Sequence, residues 1–465
     1  MLKMIGMTEI VIRMSILTEQ LMHVKCKRGE LVRQLEELNV EEAMIQREYK
    51  SLQNIASPIS SLPDEIFSEV LELGRYMNPD FAITVSHVSR QCRMVALNTP
   101  RLWNVIGSKR SWGMQRIAAY FNRSGPLPVY LSTFLQETHI PAICHLLELH
   151  SGRLSQLTVT MTRDHDPTKL LRCLSSIQVP ILKHFTIKQV GNPVFTSHQL
   201  FSRGCPALMS LHISGLNPCI ALEQLPSLTA VHLSCHSFRF SQDVCALRDT
   251  LSQSASITQL ELDFETAQLI WPSDISLSMP KLQILSVKGH PKTAARHIAG
   301  FMGALRAPEM RMLTLRGELR NACDVLCPKM VTWAHDFPHL RALQCPQFPT
   351  NATETLFMMA QMLPSITDLT CVENNQDLMT LLQVHGDSGH VWPHLRKLSL
   401  LRMTGSYFTT AEILQLLAFR KGVGHPIEMI RLQEKKMGEL RIEQLRSMVD
   451  IEPFKLNADW PTGFF

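Results

Sequence analysis

Pro280-Lys-Leu-Gln-Ile-Leu-Ser-Val-Lys288 and, 28 residues on, Pro308-Glu-Met-Arg-Met-Leu-Thr-Leu-Arg316 share one frame, Pro-x-apolar-x-x-apolar-x-apolar. The same frame begins at Pro180, Pro206, Pro226, Pro338, Pro364 and Pro393, and copies without the proline start at Leu154 and Ile257. Its central apolar residues are Leu157, Phe185, Leu211, Val231, Leu260, Leu285, Leu313, Leu343, Leu369 and Leu398, separated by 20 to 30 residues. Two places after each centre, from Val159 to Leu400, the residue is always apolar. The residue between, from Thr158 through His212, His232 and Glu261 to Ser399, is always polar. A period of two with one dry and one wet face predicts a half-buried strand in every copy. The segments between copies carry helical patterns, for example at 294–305, 353–362 and 411–419, and further strands are expected at 129–131, 427–432 and 454–456.

Units of this length, each offering a strand and then a helix, resemble leucine-rich repeats. The fold class that follows is α/β, with an irregular solenoid over residues 127–457. Stacked repeats would bury the leucines in one continuous core and align the intervening polar residues on one outer face. One feature departs from regular repeats. The asparagine expected three positions beyond the last strand leucine occurs only at Asn374, so the turns need other hydrogen-bond partners. On the outward row, His212, His232, Glu261, Asp263, Lys288 and Arg316 are candidate contacts for a protein substrate. Their mixed signs argue against a single strongly charged ligand class. His212 and His232 hold equivalent places in adjacent repeats, which suits pH sensing or an acidic partner; ordinary solvent-facing polar residues are the plainer reading.

The chain before the repeats has a different period. Leu17, Val24, Leu31, Leu38, Ile45 and Leu52 recur every seven residues, and Met14, Leu21, Arg28, Leu35, Glu42 and Tyr49 precede each by three. This predicts a coiled-coil-like helix over 8–56. It leaves two readings open: self-association through residues 14–52 as a parallel or antiparallel pair, or a long helix folded back on its own chain. Arg28 and Glu42 interrupt the seam. Pro58 ends the helix, because the residue before a proline disfavours the α region.

Residues 57–71 then read Ser-Pro-Ile-Ser-Ser-Leu-Pro-Asp-Glu-Ile-Phe-Ser-Glu-Val-Leu. Pro63 suits a first helical turn, Asp64 and Glu65 suit the positive end of the helix dipole, and Ile66, Phe67, Val70 and Leu71 make an apolar stripe. Residues 85–97 place Val85, Val88, Cys92 and Ala96 on one face, and Asn98-Thr-Pro-Arg-Leu-Trp103 closes the unit. Together Leu62-Pro-Asp-Glu-Ile66, the Val-Ser-Arg-x-Cys-Arg-x-x-Ala-Leu string at 88–97 and Thr99-Pro-Arg-Leu-Trp103 resemble an F-box, in the version abundant in mushroom-forming fungi, over residues 58–106. The resemblance implies a small helical bundle that docks a Skp-family linker protein and through it a cullin. Carried over by position, Leu62, Pro63, Ile66 and Val70 form the first docking helix. Val85, Val88 and Cys92 face the linker or the bundle interior, and Leu102 and Trp103 complete the edge. Where family members carry an aromatic after the Cys-Arg pair, this chain has Cys92-Arg93-Met94-Val95.

Composition narrows the rest. Across 465 residues, 46 Lys and Arg face 41 Asp and Glu, so the formal charge of +5 is too small for a nucleic-acid binder's footprint. The 12 cysteines make no tight framework, no stretch is long and apolar enough to span a bilayer, and no uncharged signal core exists. A cytoplasmic or nuclear location is therefore expected, with the sequons at Asn122 and Asn351 unused. No phosphate loop, metalloprotease helix or nucleophile elbow is present. Cys323 and Cys327 beside His335 lack a second ligand pair, and Cys235-His236 alone is too little for a metal or thiol site. We expect no enzyme, cofactor, metal, nucleic acid or membrane. The function implied is a substrate-recognition subunit of a Skp–cullin–F-box ubiquitin ligase, the alternative being an oligomeric protein-interaction scaffold without ubiquitin transfer.

Overall fold

Two compact units divide the chain, residues 1–102 and 103–465. The computed structural model describes residues 2–56, 58–75, 78, 80–107, 113–162, 167–189, 200–216, 225–235, 241–254, 256–264, 271, 275–290, 294–317, 333–345, 353–371, 376–383, 385–386, 389–400, 409–433 and 442–454.

In the first unit, α1 (Leu2–Ile55) is one uninterrupted helix that stops before Pro58. Its heptad residues, Leu17 to Leu52 and Met14 to Tyr49, are each more than half exposed wherever they are apolar. Pro63, with φ already fixed near its helical value, precedes α2 (Asp64–Gly74), whose first turn holds Asp64 and Glu65. The face expected along 85–97 does not belong to one helix. The chain turns between α3 (Phe81–Ser86) and α4 (Arg90–Leu97), because the Ser89 hydroxyl accepts the Cys92 N–H at 3.1 Å and caps α4. Phe67 and Leu71 of α2 join Ala82, Val85, Cys92, Val95, Ala96 and Leu102 in a buried core. The Phe81 ring occupies the space a Cβ at Gly74 would need, which fixes how closely α3 approaches α2.

The second unit is built on 14 strands: β1 (Val105–Gly107), β2 (Val129–Leu135), β3 (Leu154–Met161), β4 (His184–Gln189), β5 (Ser210–Ser214), β6 (Ala230–Cys235), β7 (Gln259–Phe264), β8 (Ile284–Lys288), β9 (Met312–Arg316), β10 (Ala342–Cys345), β11 (Asp368–Cys371), β12 (Lys397–Leu400), β13 (Met429–Gln433) and β14 (Asp450–Phe454). They form one sheet in chain order, each strand parallel to the next. The register aligns the repeat centres. Leu157, Phe185, Leu211, Val231 and Leu260 are successive partners, followed by Leu285, Leu313, Leu343, Leu369 and Leu398. All ten are buried, and the row continues through Ile430 and Ile451. Among the connections are helices Ala294–Ala304, Thr353–Met362 and Thr410–Gly422; the second has its expected bounds and the others end within three residues of theirs. The result is an α/β chain with a long N-terminal helix and a large sequential parallel sheet, compatible with a solenoid of leucine-rich-repeat type.

Asn374 lies outside the described residues, but hydrogen bonds between repeats are seen at the strand entries. Four residues before a strand centre, Ser256 Oγ donates to Leu228 O at 2.7 Å and Ser365 Oγ to Leu340 O at 2.9 Å. Two residues before a centre, the hydroxyls of Thr229, Thr258 and Thr367 donate to the preceding repeat's backbone. Serine and threonine at the strand entries thus stitch one repeat to the next.

Candidate functional site

Two groups of residues carry the expectations about binding. The first lies on the helical unit. On α2, Phe67, Leu71 and Gly74 recur at one helical spacing and face inward; Ile66, Val70 and Leu73 recur at the same spacing one residue off and face out. Ile66 and Val70 are both 47% exposed, Leu73 77% and Val88 65%. Pro63 is exposed and Leu62 partly so. Four of the expected residues are buried. Val85 and Cys92 fill the bundle core, and Leu102 is buried at its end. Trp103 is fully buried in the second unit, its ring edge-on to Tyr120 at 4.9 Å under the Arg123 guanidinium at 4.5 Å. The apolar surface of all four is covered within the chain, which for Val85 and Cys92 is the bundle-interior place that the resemblance allows. Leu73, Met94 and Leu97 are exposed apolar residues that the sequence reading did not single out. Helical spacing from Ile66 pointed to Leu73.

The second group sits on the polar face of the sheet. The register sets His212, His232 and Glu261 side by side on β5, β6 and β7, and Asp263, Lys288 and Arg316 side by side on β7, β8 and β9. All six candidates are brought together. The His212 and His232 rings stack at 3.9 Å and 12°. His232 Nδ1 lies 3.3 Å from Glu261 Oε2, and its Nε2 lies 3.8 Å from Asp263 Oδ2. Lys288 Nζ meets Asp263 Oδ2 at 3.3 Å, and Arg316 crosses β8 to donate to Glu261 Oε1 at 2.7 Å. The face is drier than an outward row implies: His212, Glu261 and Asp263 are buried, together with Ser286, Thr314, Gln344 and Ser399. Parallel strands stand only about 4.8 Å apart, so each row covers its neighbour.

Burial sets the charge states. It pushes His212 down to about 3, helped by His232 and Lys188, so its imidazole is neutral at pH 7. Burial alone would raise the Asp263 carboxyl, but His232 and Lys288 hold it below its ordinary value. Donor atoms of His232, Glu261 and Asp263 lie within 4.8 Å of one another, close enough for shared cation ligation. Lys288 and Arg316 already supply the positive charge on those two carboxylates, and a divalent ion would compete with both. The arrangement is a nearly neutral, hydrogen-bonding platform rather than a charged trap. Cys323, Cys327 and His236 lie outside the described residues, and His335 is exposed. Among the described residues, no helix is long and apolar enough to cross a membrane.

No known protein family and no curated protein matches the sequence. Among solved structures, the chain is similar to the crystal structure of a TLR13–ssRNA13 complex, at 13% identity and a TM-score of 0.34. That match covers 71% of this chain and 48% of the other, so the chain spans about half of that structure's length.

Proposed function

We propose that the chain is the substrate-recognition subunit of a Skp–cullin–F-box ubiquitin ligase. The observation that carries this reading is the double stripe of α2. Phe67 and Leu71 hold the small bundle together, while Ile66, Val70 and Leu73 stay exposed within the segment that resembles an F-box. An apolar stripe left outside a helical bundle suits a helix-in-groove contact with a linker protein. The sheet then serves as the platform for a protein substrate, with Lys288 and Arg316 at the accessible edge of the polar network. Ubiquitin transfer takes place on a recruited enzyme. This chain contributes proximity and orientation.

Co-expression with a Skp-family linker tests the reading. The intact chain should co-elute with it from a sizing column, and Ile66→Asp with Val70→Asp should abolish co-elution while leaving the chain folded. Co-elution that survives both substitutions defeats the assignment. The scaffold reading draws on the exposed seam of α1. It gains if no Skp-family linker binds but the chain self-associates.

A further inference from the structure

The α1 seam has a charge pattern that selects its partner. A 54-residue helix, exposed over residues 10–53 and containing Gly6 and Gly29, gains little stability from propensity alone, since most helical stability comes from packing an apolar face. Leu17, Val24, Leu31, Leu38, Ile45 and Leu52 offer that face and are each more than half exposed. The seam is polar at two a positions, Arg28 and Glu42, which carry opposite charges. A parallel, in-register pair would bury guanidinium against guanidinium at one layer and carboxylate against carboxylate at another. Turning one helix round removes both conflicts.

We propose that two copies of this chain associate through α1 as an antiparallel coiled coil, with Met14 of one opposite Leu52 of the other. This register uses every layer of the seam. Leu21 then meets Ile45 of the second copy, Val24 meets Glu42 and Arg28 meets Leu38. Arg28 and the second copy's Glu42 fall in adjacent layers, about 6 Å apart along the axis, within reach of an ion pair for such long side chains. The two-fold symmetry makes this pair twice. Beside the seam, Lys27 faces Glu41 of the second copy, again twice, and Val32 meets its own copy at the centre. The halves are complementary as wholes. Residues 14–33 hold four Lys and Arg against two Glu, and residues 34–52 hold two against five. A seam of about 58 Å in each copy is long enough for the roughly 1,200–2,000 Å² of a standard stable interface. Glu42 is held on the helix surface by Gln46, whose side chain donates to it at 2.9 Å, so its carboxylate is already placed along the seam.

This inference stands on α1 alone and is independent of linker docking. Sedimentation equilibrium of the full chain tests it. Wild type should be a dimer at micromolar concentration. Arg28→Glu and Glu42→Arg should each weaken the dimer about tenfold or more, and the double variant Arg28→Glu with Glu42→Arg should recover to near wild type. Far-UV circular dichroism on the same samples verifies that every variant keeps its helix. A monomeric wild type, single variants as tight as wild type, or a double variant that fails to recover would each overturn the proposal. A mixture of wild type with Arg28→Glu that pairs more tightly than wild type alone would assign the parallel arrangement instead.

Discussion

Arg420 and His212 show what burial does to single charged or titratable residues in the second unit. The Arg420 side chain is wholly buried and donates to the carbonyls of Val391 at 2.8 Å, Trp392 at 2.8 Å and His425 at 3.1 Å. Trp392 holds a left-handed φ of 45°, so the guanidinium ties down a turn that an L-residue adopts only under constraint. Burial lowers Arg420 to about 10, and it stays charged at pH 7. Arg420→Met should cost about 2–4 kcal/mol in urea unfolding, because three carbonyls lose their donor. His212 makes the complementary prediction. Its unfolded imidazole takes up a proton near pH 6.5 and its folded one only near 3, so the unfolded chain binds more protons between those values and stability falls as pH drops through that window. His212→Gln should flatten this dependence by up to one proton, about 1.4 kcal/mol per pH unit. Unfolding midpoints compared at pH 7 and 4.5 check it, and an unchanged slope would contradict a buried neutral ring. The sequence raised pH sensing for His212, though not its burial, and showed nothing of the Arg420 role. Arg420 is simply a cation near the end of a helix, and two of its three acceptors lie 28 and 29 residues earlier in the chain.

At the scale of elements, strands were far more readable than helix faces. The Pro-x-apolar frame located the ten strand centres and their register, because a slip of one residue would turn Leu285 or Leu313 out to the polar face. The polar row was assigned to the right face but with too much solvent, since its cover comes from neighbours 20 to 30 residues away. On α2 the sequence showed four apolar residues in one stripe, whereas packing on α3 and α4 divides them. Phe67→Ala should therefore cost about 3–5 kcal/mol of stability, and Ile66→Ala should stay within about 0.5 kcal/mol. Linker capture should follow the reverse order, failing with Ile66→Ala first. Thermal melts and pull-downs on the same two proteins separate packing from docking. At Gly215, with φ of 75°, a Cβ would run into the Gln189 carbonyl oxygen, so Gly215→Ala should destabilise the β4–β5 step.

For the molecule as a whole, the division between units falls at Leu102, earlier than the expected 106. Trp103 and β1 belong with the sheet: Ile106 pairs with Leu131, and the indole packs on Tyr120. Their place could not be read locally, because Thr99-Pro-Arg-Leu-Trp103 is continuous in sequence with the helical unit. A fragment starting at residue 103 should fold cooperatively. One starting at 108 loses a buried Trp and an edge strand and should be less stable by several kcal/mol, on the scale of about 3–5 for a buried aromatic. The central claim concerns the outward stripe of α2, and calorimetric titration of the full chain with a Skp-family linker tests it most directly. Binding should carry a negative heat-capacity change, should weaken at least about tenfold in Val70→Asp, since a charge in a desolvated apolar contact costs well over 1.4 kcal/mol, and should be unaffected by Arg316→Glu on the sheet. No binding, or equal binding by wild type and Val70→Asp, would contradict it.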